Sequence, residues 1–494
     1  MANKSAVASN PGKGAGKQGI LDRFFKITEN GSTVNTEIVA GVTTFMVMAY
    51  IIFVNPAILS FAGMKDLQGL GPAFPAVLAA TCLVAGLMTI FMGVYANYPF
   101  ALAPGMGLNA VVAFQLIVGM KLPWQAAMGV IFLEGVAITI LVLTGFRKAI
   151  FNAVPLELKK AIVIGIGFFI LFIGLVDGGI VISPLGDGTP VTLGNFVGVP
   201  IAVTLFGLVI TIIMVARKWR GAIILGILGS TVLAIILNYS YDKKAFGPGT
   251  AVIPSKVFAA PDFSLVGQFD FGAFAKLGVA AAILWIFSLM LSDFFDTMGT
   301  LVGVGGQAGY LDENGDLPQV NRPLLVDSVA AIAGGAVSAS SATTYIESGS
   351  GVAQGGRTGW VGLVVGVLFL LAMFFSPIAG IVPANATAPA LIIVGFLMMA
   401  TLTKGEAEAE HDDHEPKAAI NFTNLAFGIP AVLIMTIMPL TYSITNGIGF
   451  GFIAYTLIRV VQGKAREVSW MLWIASAGFI IYFLVPLFQA KGWV

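Results

Sequence analysis

The sequence predicts an all-α polytopic membrane protein of about 14 transmembrane elements, in two inverted seven-element repeats. Three observations lead there. Of the 494 residues, 57% are hydrophobic and only 10% charged, with a mean hydropathy of +0.93, whereas a soluble domain carries about 25% charged residues. Apolar runs of about 17–25 residues, the length a helix needs to cross a bilayer, recur along nearly the whole chain. Short motifs also recur in the same order in its two halves. The runs use helix formers and Gly freely, which excludes alternating barrel strands.

The elements follow in order. "MANKSAVASNPGKGAGKQGI" is polar, basic and Gly-rich without an apolar core, so it reads as a cytosolic tail rather than a signal peptide. "LDRFFKITENG" suits a short interfacial helix, and together these make a first region, 1–34. The first transmembrane repeat is placed at 35–240, with spans near 36–60, 75–97, 125–146, 160–182, 197–216 and 220–238. An extracytoplasmic loop, 241–270, separates it from the second repeat at 271–462, with spans near 273–302, 324–338, 358–376, 386–403, 423–441 and 443–462. Segments 98–118 and 339–356 are broken by Gly, Pro and polar residues. They are read as discontinuous elements containing short extended stretches, tolerated at membrane depth where protein or a cavity surrounds them. The apolar run 468–489, within a C-terminal segment 463–494, is either an extra span or a packed helix.

With the N-terminus inside, Arg147/Lys148, Arg217/Lys218/Arg220, Arg357 and Arg459/Lys464/Arg466 all fall on the cytosolic side. The long loop carrying "YDKKAFGPGT" is the exception. The repeat itself is legible. "AVPLELKKAIVIGIGF" (153–168) parallels "IVPANATAPALIIVGF" (381–396), Val-Pro leading to Gly-Phe at equal spacing. "GVPIAV" (198–203) parallels "GIPAVL" (428–433), and "APGMGLNA" (103–110) matches "ESGSGVAQ" (347–354), each with a Gly-x-Gly pair. An odd number of spans per half forces inverted topology, a plan that sets the substrate near the midplane where broken elements meet.

Polar groups inside apolar runs are the candidates for chemistry. Asp293 and Asp296 in "LSDFFDTMGT" are three apart, on one helix face. An ionised carboxylate at mid-bilayer costs roughly 2.5–3.5 kcal/mol, so a wet cavity, a proton or a donor is required. The plainer alternative is a helix-end pair at the interface. Glu347 lies in the second broken segment among hydroxyls and Gly, the alternative being a solvated loop acid. Asn109 stands at the matching break of the first half; Pro104, Gly105 and Gly107 there would let backbone approach a ligand. An interhelical hydrogen-bonding role is the alternative for Asn109. Glu134 and Asp327 are further acids in or beside spans, each able to join a proton path or to satisfy a neighbouring helix, the structural role being favoured. Asn55 and Pro56 are expected to end the first span as a cap.

Other signals are set aside. "GVGGQA" (303–308) imitates a dinucleotide fingerprint but opens no βαβ unit. "LDENGDL" lacks the spacing and closing Glu of a calcium loop. "EAEAEHDDHEPK" (406–417), with His411 and His414, reads as a solvated loop, not a metal site. The net charge of +1 offers no basic surface for nucleic acid, and the single cysteine, Cys82, no disulfide framework. No nucleophile–His pairing supports an enzyme, and neither cofactor nor metal is expected.

Four stretches, "GVTTFMVMAYIIFVNP" (41–56), "NYPFALAPGMGLNA" (97–110), "DFFDTMGTLVGVG" (293–305) and "TTYIESGSGVAQGGRTG" (343–359), closely resemble the AzgA-like purine permeases. These form the adenine/guanine/hypoxanthine branch of the nucleobase–cation symporter superfamily. The resemblance runs from about residue 20 to the end. It implies fourteen spans in two inverted repeats, a core domain moving against a gate domain, proton-coupled purine uptake at the cytoplasmic membrane, and a homodimer. It also implies that Asn109, Asp293, Asp296 and Glu347 form the binding site. The physical chemistry agrees, because a purine edge carries N–H donors for carboxylates and an Asn amide offers both a donor and an acceptor. Gly107 would admit the ligand, and Phe100, Phe294 and Tyr345 are the candidates to stack on its ring, with plain packing the alternative for the phenylalanines. Glu347 and Asp293 are assigned to the substrate, Asp296 to proton coupling or to orienting the site, and Glu134 to proton coupling, with sodium the alternative ion. The rival reading is an anion or other small-molecule carrier on the same fold, which would want Lys, Arg or bare helix N-termini at the site.

Overall fold

The computed structural model describes residues 20–490 except 63, 65, 66, 146–153, 184–189, 242, 248, 311–316 and 408–419. The N-terminal tail, Arg147 and Lys148, most of "LDENGDL" and the loop with His411 and His414 therefore lie outside the described residues.

In the hydrocarbon of a bilayer every backbone N–H and C=O needs a partner within the protein, and these apolar runs meet that demand by coiling. A short helix, Ile20–Phe25, precedes α1 (Val34–Leu59), α2 (Phe74–Ala96), β1 (Leu102–Pro104), α3 (Met106–Gly119), α4 (Trp124–Leu143) and α5 (Leu156–Asp177). A small ribbon of β2 (Val181–Ile182) and β3 (Thr192–Leu193) leads to α6 (Val199–Ala216) and α7 (Ala222–Ser240). After a long loop come α8 (Val279–Gln307), α9 (Asn321–Ala336), β4 (Ala342–Thr344), α10 (Ser348–Ala353), α11 (Trp360–Ala379) and α12 (Ala384–Ala407). The chain ends in α13 (Leu425–Leu440), α14 (Ile444–Val461) and α15 (Trp470–Ala490). Among the described residues nine helices are long and apolar enough to cross a membrane, making this a multi-pass membrane protein. Large apolar side chains such as Ile212, Val232, Leu371 and Leu457 point outward, as a lipid-facing surface requires.

Glycine decides how closely the helices cross. In lipid there is no hydrophobic drive between helices, so association depends on close backbone packing through small residues. A Cβ placed on Gly395 of α12 would stand 2.4 Å from the Gly167 carbonyl of α5, and one on Gly167 would stand 2.7 Å from the Gly395 carbonyl. The end of α2 and the start of α11 meet in the same reciprocal way at Gly93 and Gly359, while Gly135 of α4 lies against the backbone of α9 at Ala331–Ile332 and Gly335 of α9 against that of α4 at Ile131–Phe132. The two glycines that close the Val-Pro…Gly-Phe motifs are thus in contact with each other where α5 crosses α12.

The broken elements meet as well. β1 and β4 pair antiparallel, Leu102 with Thr344, Ala103 with Thr343 and Pro104 with Ala342. Their flanks continue the bonding, Tyr345 N to Ala101 O at 2.9 Å and Gly105 N to Ser341 O at 2.8 Å. The Gly-x-Gly pairs that suggest this match sit differently in the two halves: Gly105 precedes α3, whereas Gly349 and Gly351 lie inside α10.

One sequence expectation changes here. Asn55 and Pro56 do not end α1. Asn55 is buried within it, and its amide donates to Thr81 Oγ1 at 2.7 Å and to the Ala339 carbonyl at 3.1 Å, tying α1 to α2 and to the approach of β4. α1 is itself interrupted, its Val34–Met48 and Ile51–Leu59 segments meeting at Ala49–Tyr50. The loop between α7 and α8 lies across helix ends, with Asp270 N bonded to Gln125 O and Gly267 N to Ala336 O. Within it, hydrogen bonds from Ser264 hold the Asp262 carboxyl below the usual carboxylate range.

Candidate functional site

Where β1 and β4 end, a cavity opens between the strand pair, α1, α8, α5 and α12. Its empty space, counted out into the open solvent at its mouth, is about 720 Å³. One wall is polar: Tyr50 from α1, Asp296 and Thr300 from α8, and Thr344, Tyr345 and Glu347 from the second break. The opposite wall is aliphatic, built by Val163, Ile166 and Ile170 of α5 with Val394 and Met398 of α12. Gly105 and Gly107 form its floor, and a Cβ on Gly107 would come within 2.9 Å of Ile444 Cδ1. No Lys, Arg or His lines the cavity among the described residues.

The polar wall is braced from behind. Glu347 Oε1 accepts from the Tyr50 hydroxyl at 2.6 Å. The Tyr345 hydroxyl is bonded to the Pro104 carbonyl, which joins the two broken elements a second time. Asp327 of α9, wholly buried, accepts from Thr297 Oγ1 at 2.7 Å and from both the N–H and Oγ1 of Thr344 at 2.9 Å. That carboxylate therefore fixes α8, carrying Asp296, against β4, which leads to Glu347. In the second half of α3, Gln115 donates to the Tyr442 carbonyl and accepts from Ser443 Oγ at 3.2 Å. The Tyr442 ring sits among Phe114, Phe169 and Phe172 at 5.6, 5.9 and 5.6 Å, so aromatic packing fills the space between α3 and α5 there.

Of the residues expected from the sequence, Glu347, Asp296, Gly107 and Tyr345 come together at this cavity. Asn109, Asp293 and Phe294 do not line it: Asn109 and Asp293 are fully buried and Phe294 is 3% exposed. Asn109 lies two residues past Gly107, turned along α3, and neither atom of its amide has a hydrogen-bond partner among the described residues. Asp293 is nearly one helical turn before Asp296, and only the latter reaches the opening. Glu134 is buried in α4, which packs on α8 and α9 away from the cavity. Tyr50, Thr300 and Thr344 are lining residues that sequence reading does not single out; the signal for Tyr50 was a lone hydroxyl in the otherwise apolar "VMAYIIFV".

Comparison with known proteins settles the family. The model of the Permease family matches residues 35–408. The chain belongs to the permease family. This permease is 39% identical to the adenine permease AdeP of Escherichia coli, covering 94% of this chain and 96% of that one. It is 41% identical to the guanine/hypoxanthine permease PbuG of Bacillus subtilis, over 94% and 99%. Its fold is similar to the transmembrane domain of the cyanobacterial bicarbonate transporter BicA, with a TM-score of 0.58 at 13% identity, covering 82% of this chain and 96% of that one. This permease is a membrane transporter, not an enzyme.

Proposed function

We propose that this permease imports the purine nucleobases adenine, guanine and hypoxanthine by proton symport across the cell membrane. The observation that carries the reading is the cavity, whose acidic, hydroxyl-bearing wall faces an aliphatic one. A purine is flat, with an edge of N–H donors and ring-nitrogen or carbonyl acceptors. Its faces suit Ile166, Ile170 and Val394, while its edge suits carboxylates, whose charge-assisted bonds are about twice as strong as neutral ones. The names of the relatives, adenine permease and guanine/hypoxanthine permease, point to the same ligands. An anion carrier, the rival, would place an anion against Asp296 and Glu347 with no cation on the wall.

In this reading Glu347 accepts from the base, Tyr345 and Gly107 frame it, and Asp296 exchanges the coupling proton. Asn109 and Asp293, with Phe294 between Asp293 and Asp296, form a layer behind the wall that meets the base once the cavity tightens. A buried amide left without partners behind the open cavity is what such tightening would satisfy. Glu134 serves the proton path from α4. The elements group as fourteen, seven at 35–240 and seven at 271–462, inverted with respect to each other, with α15 packed outside them. The strand pair and its supporting helices make the core domain, and α5, α6, α7, α12, α13 and α14 the gate. The N-terminus is cytosolic, and the Arg220–Gln354 hydrogen bond supports this by bringing two of the basic turns to one side. A homodimer is part of the proposal.

The test is uptake of labelled adenine, guanine, hypoxanthine and uracil into vesicles with an imposed pH gradient. Purine accumulation that a protonophore abolishes is expected. Accumulation surviving the protonophore removes the proton, and absence of purine uptake removes the substrate class. Glu347→Gln, folded but binding purine at least tenfold more weakly, is the expected site variant.

A further inference from the structure

The interruption of α1 falls at the residue that touches the site. Tyr50 stands between the two segments of the helix, and its body is buried to 1% exposure. Its hydroxyl reaches Glu347 at 2.6 Å. Among the described residues no other side chain donates to that carboxylate. The neighbouring phenol, Tyr345, is committed to Pro104, Thr344 Oγ1 to Asp327, and Asp296 is itself an acid. α5 and α12 offer only aliphatic groups.

We infer that Tyr50 is a positioning residue for substrate recognition, acting through Glu347; this rests on the purine reading above. A carboxylate on a glutamate has three rotatable bonds, and a purine N–H is recognised only if one oxygen is held towards it. By engaging Oε1, Tyr50 turns the group so that the other oxygen serves the base. A phenol also both donates and accepts. It can therefore donate to the carboxylate and accept from the carboxylic acid, keeping Glu347 in place whichever form the cycle presents.

The experiment measures KM for labelled adenine, guanine and hypoxanthine in proteoliposomes of the full chain, in a double-mutant cycle. Tyr50→Phe keeps the ring and removes the donor. Glu347→Asp keeps the carboxylate but draws it back by one methylene, out of the hydroxyl's reach. Tyr50→Phe is expected to raise KM about tenfold, the worth of a bond to a charged group, with Vmax changed less than about twofold. In the Glu347→Asp background it is expected to change KM less than about twofold. An equal loss in both backgrounds marks Tyr50 as merely structural and overturns the inference, as does unchanged KM in the single variant. Wild-type protein that takes up no purine overturns the purine reading and this inference with it, which separates the two failures. Melting of each variant, followed by dye reaction at Cys82, keeps a misfolded protein from being counted as a loss of affinity.

Discussion

Gly395→Ala adds a single methyl group at the crossing of α5 and α12. The new Cβ would lie 2.4 Å from the Gly167 carbonyl oxygen and 2.7 Å from Leu171 N, both backbone atoms that cannot swing aside. Ordinary contact begins at 3.4 Å, so the helices must part by about 1 Å, 3.4 minus 2.4. Overpacking of this kind costs about 1–3 kcal/mol, and a rigid backbone neighbour puts it near the top. Alanine returns about 1 kcal/mol of helix propensity, leaving a net loss of about 2 kcal/mol. The control is Gly478→Ala in α15, where a Cβ meets nothing within 4 Å and only the propensity gain remains. Thermal unfolding in detergent, reported by reaction of Cys82 with a thiol-reactive dye, should rank Gly478→Ala at or above wild type and Gly395→Ala clearly below. Because Val394 and Ile166 beside the crossing line the cavity, purine uptake should also weaken. A Gly395→Ala protein that melts with or above the wild type would refute the close-packing argument.

Two further predictions concern buried groups. Asp327→Ala leaves the Thr344 N–H without its acceptor, a cost of about 1–3 kcal/mol. Melting should fall and purine affinity with it, Asp327→Asn recovering part of both; unaltered melting of Asp327→Ala would show that the carboxylate does not hold β4. Cys82, wholly enclosed in α2, should resist N-ethylmaleimide in the folded protein and react after denaturation, and rapid native labelling would contradict its burial.

The helices were legible because hydropathy and length leave a membrane chain few options, and the predicted spans coincide with the helices to within a few residues. The two breaks were legible from Pro104, Gly105 and the hydroxyl-rich run before Glu347. The Gly167–Gly395 contact was present in the sequence as the end of a repeated motif, without its meaning. Asn55 misled because its cap-like neighbour Pro56 sits inside a helix, and only tertiary partners, Thr81 and Ala339, explain it. Helical spacing placed Asp293 and Asp296 on one face, yet that face extends along the axis, and only Asp296 lies at the depth of the opening. Tyr50 was hidden because an aromatic residue in an apolar run normally packs, and its partner is remote in sequence.

The pairing of β1 with β4 bears on how the protein is made. A chain inserted from its N-terminus delivers Leu102–Pro104 long before Ala342–Thr344 exists. Until then the peptide groups of β1 that face the missing strand have no partner in a medium that supplies none. The N-terminal half is therefore an unfinished object in the bilayer, held open until the second half arrives. The two halves expressed as separate polypeptides should each be degraded alone and recover when produced together, since neither contains a whole site.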